Sequence, residues 1–174
     1  MPVLIRATIT HDGEMSARAH NRVMKGVMGD VGAHWNRHMK GRHFRSGAAT
    51  KYGYKPRTHA WYRRKMTSPI RASDARLPLV YTGTLKRQAL RSREVKAFPT
   101  RATVVLQVPS YVTSRPNPTG RGRNRPFMAG EITAVTADEI HELDLVAEKS
   151  YERRAIAESR NVRTRKRITA NGVS

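Results

Sequence analysis

His34, His38 and His43, together with the acids of residues 131–158, are where acid–base or metal chemistry would have to reside. His34 and His38 are spaced to share one face of a helix, with His43 close behind. A zinc hydrolase built on that spacing places a glutamate directly after the first histidine to act as base, and Trp35 stands there instead. No carboxylate lies between Asp30 and Asp74 to complete a ligand set, so these histidines read as surface or packed residues. The acids of 131–158 read as a solvated helix face, and nothing pairs them as acid and base. The chain has no cysteine, which excludes disulfides, thiolate metal sites, iron–sulfur clusters and a cysteine nucleophile. It also lacks a phosphate-cradling glycine loop with a following lysine and a dinucleotide fingerprint. No catalytic, metal-binding or cofactor-binding residue is expected, and no enzyme activity.

Arginine, lysine and the aromatics carry the stronger signal. The formal net charge is +21 over 174 residues, and it is unevenly placed. Residues 41–101 hold sixteen bases against Asp74 and Glu94, interleaved with Tyr52, Tyr54, Trp61 and Tyr62. Residues 102–130 hold four arginines and no acid, while 131–158 reverse the sign with eight acids and three bases. The tail from 159 to 174 returns to five bases and no acid. A body this basic repels itself unless a polyanion or an acidic neighbour lies against it, so a partner of opposite sign is expected. Cations with interleaved rings supply phosphate contacts and stacking platforms, but no zinc-finger spacing, RNA-reading aromatic sheet motif or basic-region heptad is present.

The elements that must position these side chains are few. Val3, Ile5, Thr8 and Ile9 form a short β-type run that ends at the turn signal His11-Asp12-Gly13. From Glu14 to Met39, Met15, Ala19, Val23, Val27, Val31, Trp35 and Met39 fall every fourth residue, predicting a long amphipathic helix. Gly26, Gly29 and Gly32 within it mark a bend or the close approach of another backbone. Residues 40–80 show no sustained period and read as an extended loop. Thr82 or Thr84 is placed to cap a short helix through Leu85, Ala89 and Leu90. Residues 102–108 are the clearest strand, with Tyr111 and Val112 as its continuation beyond Pro109, and 113–130 read as a second extended basic loop. Thr136 and Glu139 form a capping box. Ile140, Leu143, Ala147, Tyr151 and Ala155 follow at helical spacing, predicting a helix from 137 to about 158. One domain over 1–158 and a flexible basic tail over 159–174 are expected. No apolar run is long enough to cross a membrane, and the N-terminus lacks the pattern of a secretory signal.

In order along the chain stand Trp35, His43-Phe44, Tyr52-Gly53-Tyr54-Lys55-Pro56-Arg57-Thr58 and Tyr62-Arg63-Arg64-Lys65. Leu77-Pro78-Leu79-Val80-Tyr81-Thr82-Gly83-Thr84-Leu85, a strand, Arg125-Pro126-Phe127-Met128 and an acidic helix ending in Tyr151-Glu152-Arg153-Arg154 complete the series. This order resembles the virion morphogenesis or tail-completion proteins of tailed bacteriophages over roughly residues 14–158. The loops here are more basic than that family leads one to expect. The resemblance implies an α+β fold, a small mostly antiparallel sheet packed on a long N-terminal helix and a C-terminal helix, with long extended basic loops. It implies a structural part of the virion neck, assembled in the host bacterial cytoplasm. Its partners would be further copies in a ring, commonly of six subunits, the tail tube or tail terminator, and the head connector or portal-side proteins. The ring would surround the DNA channel and contact packaged DNA non-specifically.

On that reading Phe44, Tyr52, Tyr54, Trp61 and Tyr62 are the aromatic anchors gripping a neighbouring subunit, with Arg57, Arg63, Arg64 and Lys65 as their charge partners. Arg121, Arg123 and Arg125 form a second contact loop toward DNA or an acidic partner. A basic loop of one subunit would pair with the acidic helix of the next. The alternative is a stand-alone basic nucleic-acid-binding protein of the ribosomal or nucleoid kind.

Overall fold

Ser16 opens the first helix, α1 (Ala17–His34), by accepting the Ala19 N–H on its hydroxyl at 3.3 Å. Such a cap is worth about 1 kcal/mol. The chain is seen in a computed structural model that describes residues 2–6, 15–55, 59, 63, 66–67, 77, 79, 83–113 and 128–170. The helical path does not stop at His34. The Lys40 N–H reaches back to the Trp35 carbonyl, a π turn over Trp35–Met39, and a 3₁₀ turn follows over Lys40–Phe44. An apolar row at every fourth position drifts around a helix of about 3.6 residues per turn, and a wider turn takes up that drift. Trp35, Met39 and Phe44 therefore all stay in the core.

The fold is α+β. Its sheet has three antiparallel strands in the order β1 (Pro2–Arg6), β3 (Arg101–Val105), β2 (Val95–Phe98). β2 and β3 form a hairpin turned by Pro99 and Thr100, and Val3 and Val95 both register against Val104. Ala102 and Val104 are fully buried, so alternate residues of β3 turn toward α1 and the others outward. The sheet comes close because α1 carries glycines where it crosses: a methyl group at Gly32 would sit 2.7 Å from Val95 Cγ1 and 3.0 Å from Ala102 Cβ. Side chains of the sheet, not another backbone, fill that space. At Gly26 a methyl group would overlap the Arg154 guanidinium of the closing helix, which lies across α1 there.

Several expected elements take another form. Residues 40–55 are not a loop: after the 3₁₀ turn comes a short helix, α2 (Ala48–Lys51), and Phe44, Ala48 and Tyr54 are buried. The helix α3 (Thr84–Arg91) is capped by Gly83 in the left-handed region, φ 74°, with no side-chain cap, so Thr84 lies inside it and the capping role falls to a residue without a Cβ. Its other end is held by Lys40, whose buried ammonium donates to the Ser92 carbonyl at 2.6 Å. Burial holds the Lys40 pKa down to about 8. The strand β3 ends at Val105, and Tyr111 and Val112 belong to a helical turn, α4 (Ser110–Thr113), rather than to its continuation. A further short helix, α5 (Met128–Ile132), buries Ala129 and Ile132.

The closing helix, α6 (Ala137–Ala170), runs past the expected end near 158. Residues 159–170 contain neither Gly nor Pro to break the helix. α6 packs antiparallel on α1 through Asp30, whose carboxylate accepts Ser150 Oγ at 2.6 Å and Arg153 and Arg154 each at 2.9 Å. Those hydrogen bonds and cations hold the Asp30 carboxyl below its usual pKa against the opposing effect of burial.

The two sheet-side glycines should respond oppositely to alanine. Gly32→Ala crowds Val95 and Ala102 and should lose about 1–3 kcal/mol in urea denaturation despite better helix propensity. Gly29→Ala meets only Ala97 Cβ at an ordinary 3.6 Å and should gain up to about 1 kcal/mol.

Candidate functional site

Tyr52, singled out as a gripping group, meets a buried acid at the start of α6. Thr136 and Glu139 form the expected capping box, each side chain reaching the other's backbone N–H at 3.4 Å. Glu139 is fully buried. Its Oε2 serves the cap, and its Oε1 accepts Tyr52 OH at 2.7 Å, Lys51 Nζ at 3.2 Å and Arg42 Nη1 at 3.3 Å. Arg42 bridges onward to Glu142, bidentate at 2.9 and 3.1 Å, and His34 Nε2 donates to the same carboxylate at 2.8 Å. Burial tends to raise the Glu139 pKa, yet the hydrogen bonds from Tyr52, Lys51 and the cap outweigh it and keep the carboxyl ionised. Glu142, held chiefly by Arg42 and His34, falls to about 2.

His43 lies on the inner side of this centre, fully buried, its ring stacked on Tyr52 with centroids 4.1 Å apart. Its Nδ1 is hydrogen-bonded to the Tyr54 hydroxyl at 2.6 Å. Burial pushes the His43 pKa down to about 4, against the pull of the Glu139 charge. Burial and the Glu139 contact push the Tyr52 phenol above its usual range. A neutral imidazole, a locked carboxylate and a phenol that keeps its proton have none of the poise of an acid–base pair near neutral pH. The centre is a tie: it fastens residues 42–54 to the start of α6.

Phe44 and Tyr54, expected to grip a neighbour, are instead buried in the chain's own core, and Tyr52 is half-buried with its ring stacked on His43 and its hydroxyl committed to Glu139. Arg63 is exposed, and its carbonyl accepts the Thr67 N–H and hydroxyl. Arg57, Trp61, Tyr62, Arg64 and Lys65 lie outside the described residues, as do Arg121, Arg123 and Arg125. The acidic segment is solvated in part: Asp138, Asp144, Glu148 and Glu152 are exposed, whereas Glu139 and Glu142 take Arg42 and Lys51 of the same chain and Glu158 takes Arg22 at 2.9 Å.

Glu139 was legible in the sequence as the partner of Thr136 in the capping box, and its burial was legible in its spacing alone. Its spacing to Leu143, Ala147 and Ser150, all buried, puts it on the packed face of α6, whereas Ile140 of the expected apolar stripe is 53% exposed. Among the described residues, no three His, Asp or Glu side chains are gathered as a metal would need. Set against protein-family models, curated proteins and solved structures, the chain matches none.

Glu139→Gln leaves Arg42 and Lys51 without their shared anion and should destabilise the chain by about 3 kcal/mol in urea denaturation. His43 sets an acid limit as well. As pH falls through about 6.5 the unfolded chain takes up a proton that the folded ring refuses until about 4. Stability attributable to His43 is therefore complete above pH 6.5 and falls by about 3 kcal/mol on the way to pH 4. The difference between wild-type and His43→Gln unfolding curves across that range should show this slope, and parallel curves would deny it.

Proposed function

We propose that the chain is a structural protein of the tailed-phage virion neck, a ring-forming adaptor that completes the tail and joins it to the head connector around the DNA channel. The observation that carries this reading is the agreement between motif order and architecture. The series from Trp35 to Arg154 resembles the tail-completion family, and the α+β layout that the resemblance implies is the layout of the chain. The tie at Glu139 fits a load-transmitting part, because it joins segments distant in sequence without leaving a reactive group. The work of such a part is docking, by shape and by charge, with no reaction to catalyse. A second reading, a stand-alone nucleic-acid-binding protein, is favoured by the net charge of +21.

The two readings separate in sedimentation and in assembly. An adaptor should self-associate into a closed oligomer at micromolar concentration. Phage lacking it, or carrying Trp61→Ala with Tyr62→Ala, should accumulate filled heads and finished tails that fail to join in electron micrographs. Normal particle yield without the chain refutes the adaptor. A strictly monomeric chain that binds duplex or RNA tightly, with affinity falling steeply as salt rises, supports the second reading.

A further inference from the structure

The outward face of α6 and the outward face of the sheet are opposite in charge. Along α6, Asp138, Asp144, Glu148 and Glu152 are exposed and have no ion-pair partner among the described residues, with Lys149 the cation among them. Ile140 and Leu145 stand between these acids, 53% and 41% exposed. On the sheet, Leu4 and Phe98 are 50% and 42% exposed. Leu4 and Lys96 flank Thr103 in register, and Arg101 lies between Arg6 and Phe98, its guanidinium 4.7 Å from the Phe98 ring centre. Lys96 shares its charge with Glu94, 3.1 Å away, where both are well exposed and the pair is worth little.

We propose that these two surfaces join one copy of the chain to the next, the acidic face of α6 on the basic face of the neighbouring sheet. The inference deepens the ring reading and rests on it for closure. One copy cannot bring the two surfaces together, because they lie against different flanks of α1. Gly29 and Gly32 meet the sheet, whereas Gly26 and Asp30 meet α6, about a third of a turn away at roughly 100° per residue. A contact between two different surfaces is heterologous, and repeated it generates a ring or a filament. Charge selects the occupant. A chain of net charge +21 repels its copies in most orientations, and this orientation places unpaired carboxylates against cations. The exposed Leu145 and Phe98 supply the apolar contact that a charge pair in water does not.

Two variants of the full-length chain test this in analytical ultracentrifugation at 150 mM salt: Glu148→Lys with Glu152→Lys, and Lys96→Glu with Arg101→Glu. None of these side chains holds the core, and unchanged thermal melts verify that both variants fold. Each variant alone should associate at least tenfold more weakly than wild type. An equimolar mixture should regain association, because the untouched sheet of the first meets the untouched helix of the second. Variants that assemble like wild type overturn the proposed surfaces while leaving the ring reading standing. A mixture that stays monomeric also overturns them, and a wild-type chain that is monomeric at every concentration removes the ring reading with them. If the sheet variant instead keeps its oligomer size and loses affinity for duplex DNA, the sheet face serves a nucleic acid and the proposal fails.

Discussion

A carboxylate buried in a strongly basic chain is the constraint on which the rest of the structure depends. Glu139 is removed from water, and an unpaired charge there would cost several kcal/mol. It is made tolerable by four donors: the Thr136 N–H, the Tyr52 hydroxyl, Lys51 and Arg42. Three of them, Tyr52, Lys51 and Arg42, lie 87, 88 and 97 residues earlier, so satisfying one charge closes a long loop. The tie then orders what surrounds it. With Tyr52 held at Glu139, His43 is stacked beneath it, Tyr54 meets His43, and Phe44 enters the core. Neutral His43 is a consequence of the same burial, and its low pKa is the cost of placing a titratable ring under that lid.

Close approach is the second constraint, and it is met by absence of side chain rather than by its presence. Gly32 lets Val95 and Ala102 of the sheet rest on α1, and Gly26 gives the Arg154 guanidinium room to reach Asp30. Each glycine weakens the helix by up to about 1 kcal/mol, a loss recovered where the sheet and α6 pack. The glycines that look like defects in an isolated helix are the contact points of the assembled domain.

Charge is then sorted by use. Acids on the inner side of α6 neutralise cations of their own chain: Glu139 and Glu142 those of Arg42 and Lys51, and Glu158 that of Arg22. Acids on its outer side have no such partner among the described residues. A uniform excess of positive charge would only keep copies apart. An excess interrupted by one acidic face makes one orientation of approach less repulsive than the rest.

By itself the sequence determined the elements whose cause is local. The every-fourth-residue row from Ala19 to Met39 dictated α1, the Thr136–Glu139 box dictated the start of α6, and the β-branched run after Arg101 dictated β3. Period and capping act within a few residues, so they can be read without the fold. What only the tertiary structure decided is which polar side chains lie inside. Phe44, Tyr52 and Tyr54 look like free grips in a stretch without period, and Glu139 looks like a capping acid on a wet helix. Their burial depends on Arg42, Lys51 and Glu139 meeting across the fold, and a charge is stable inside only after all of its partners have arrived.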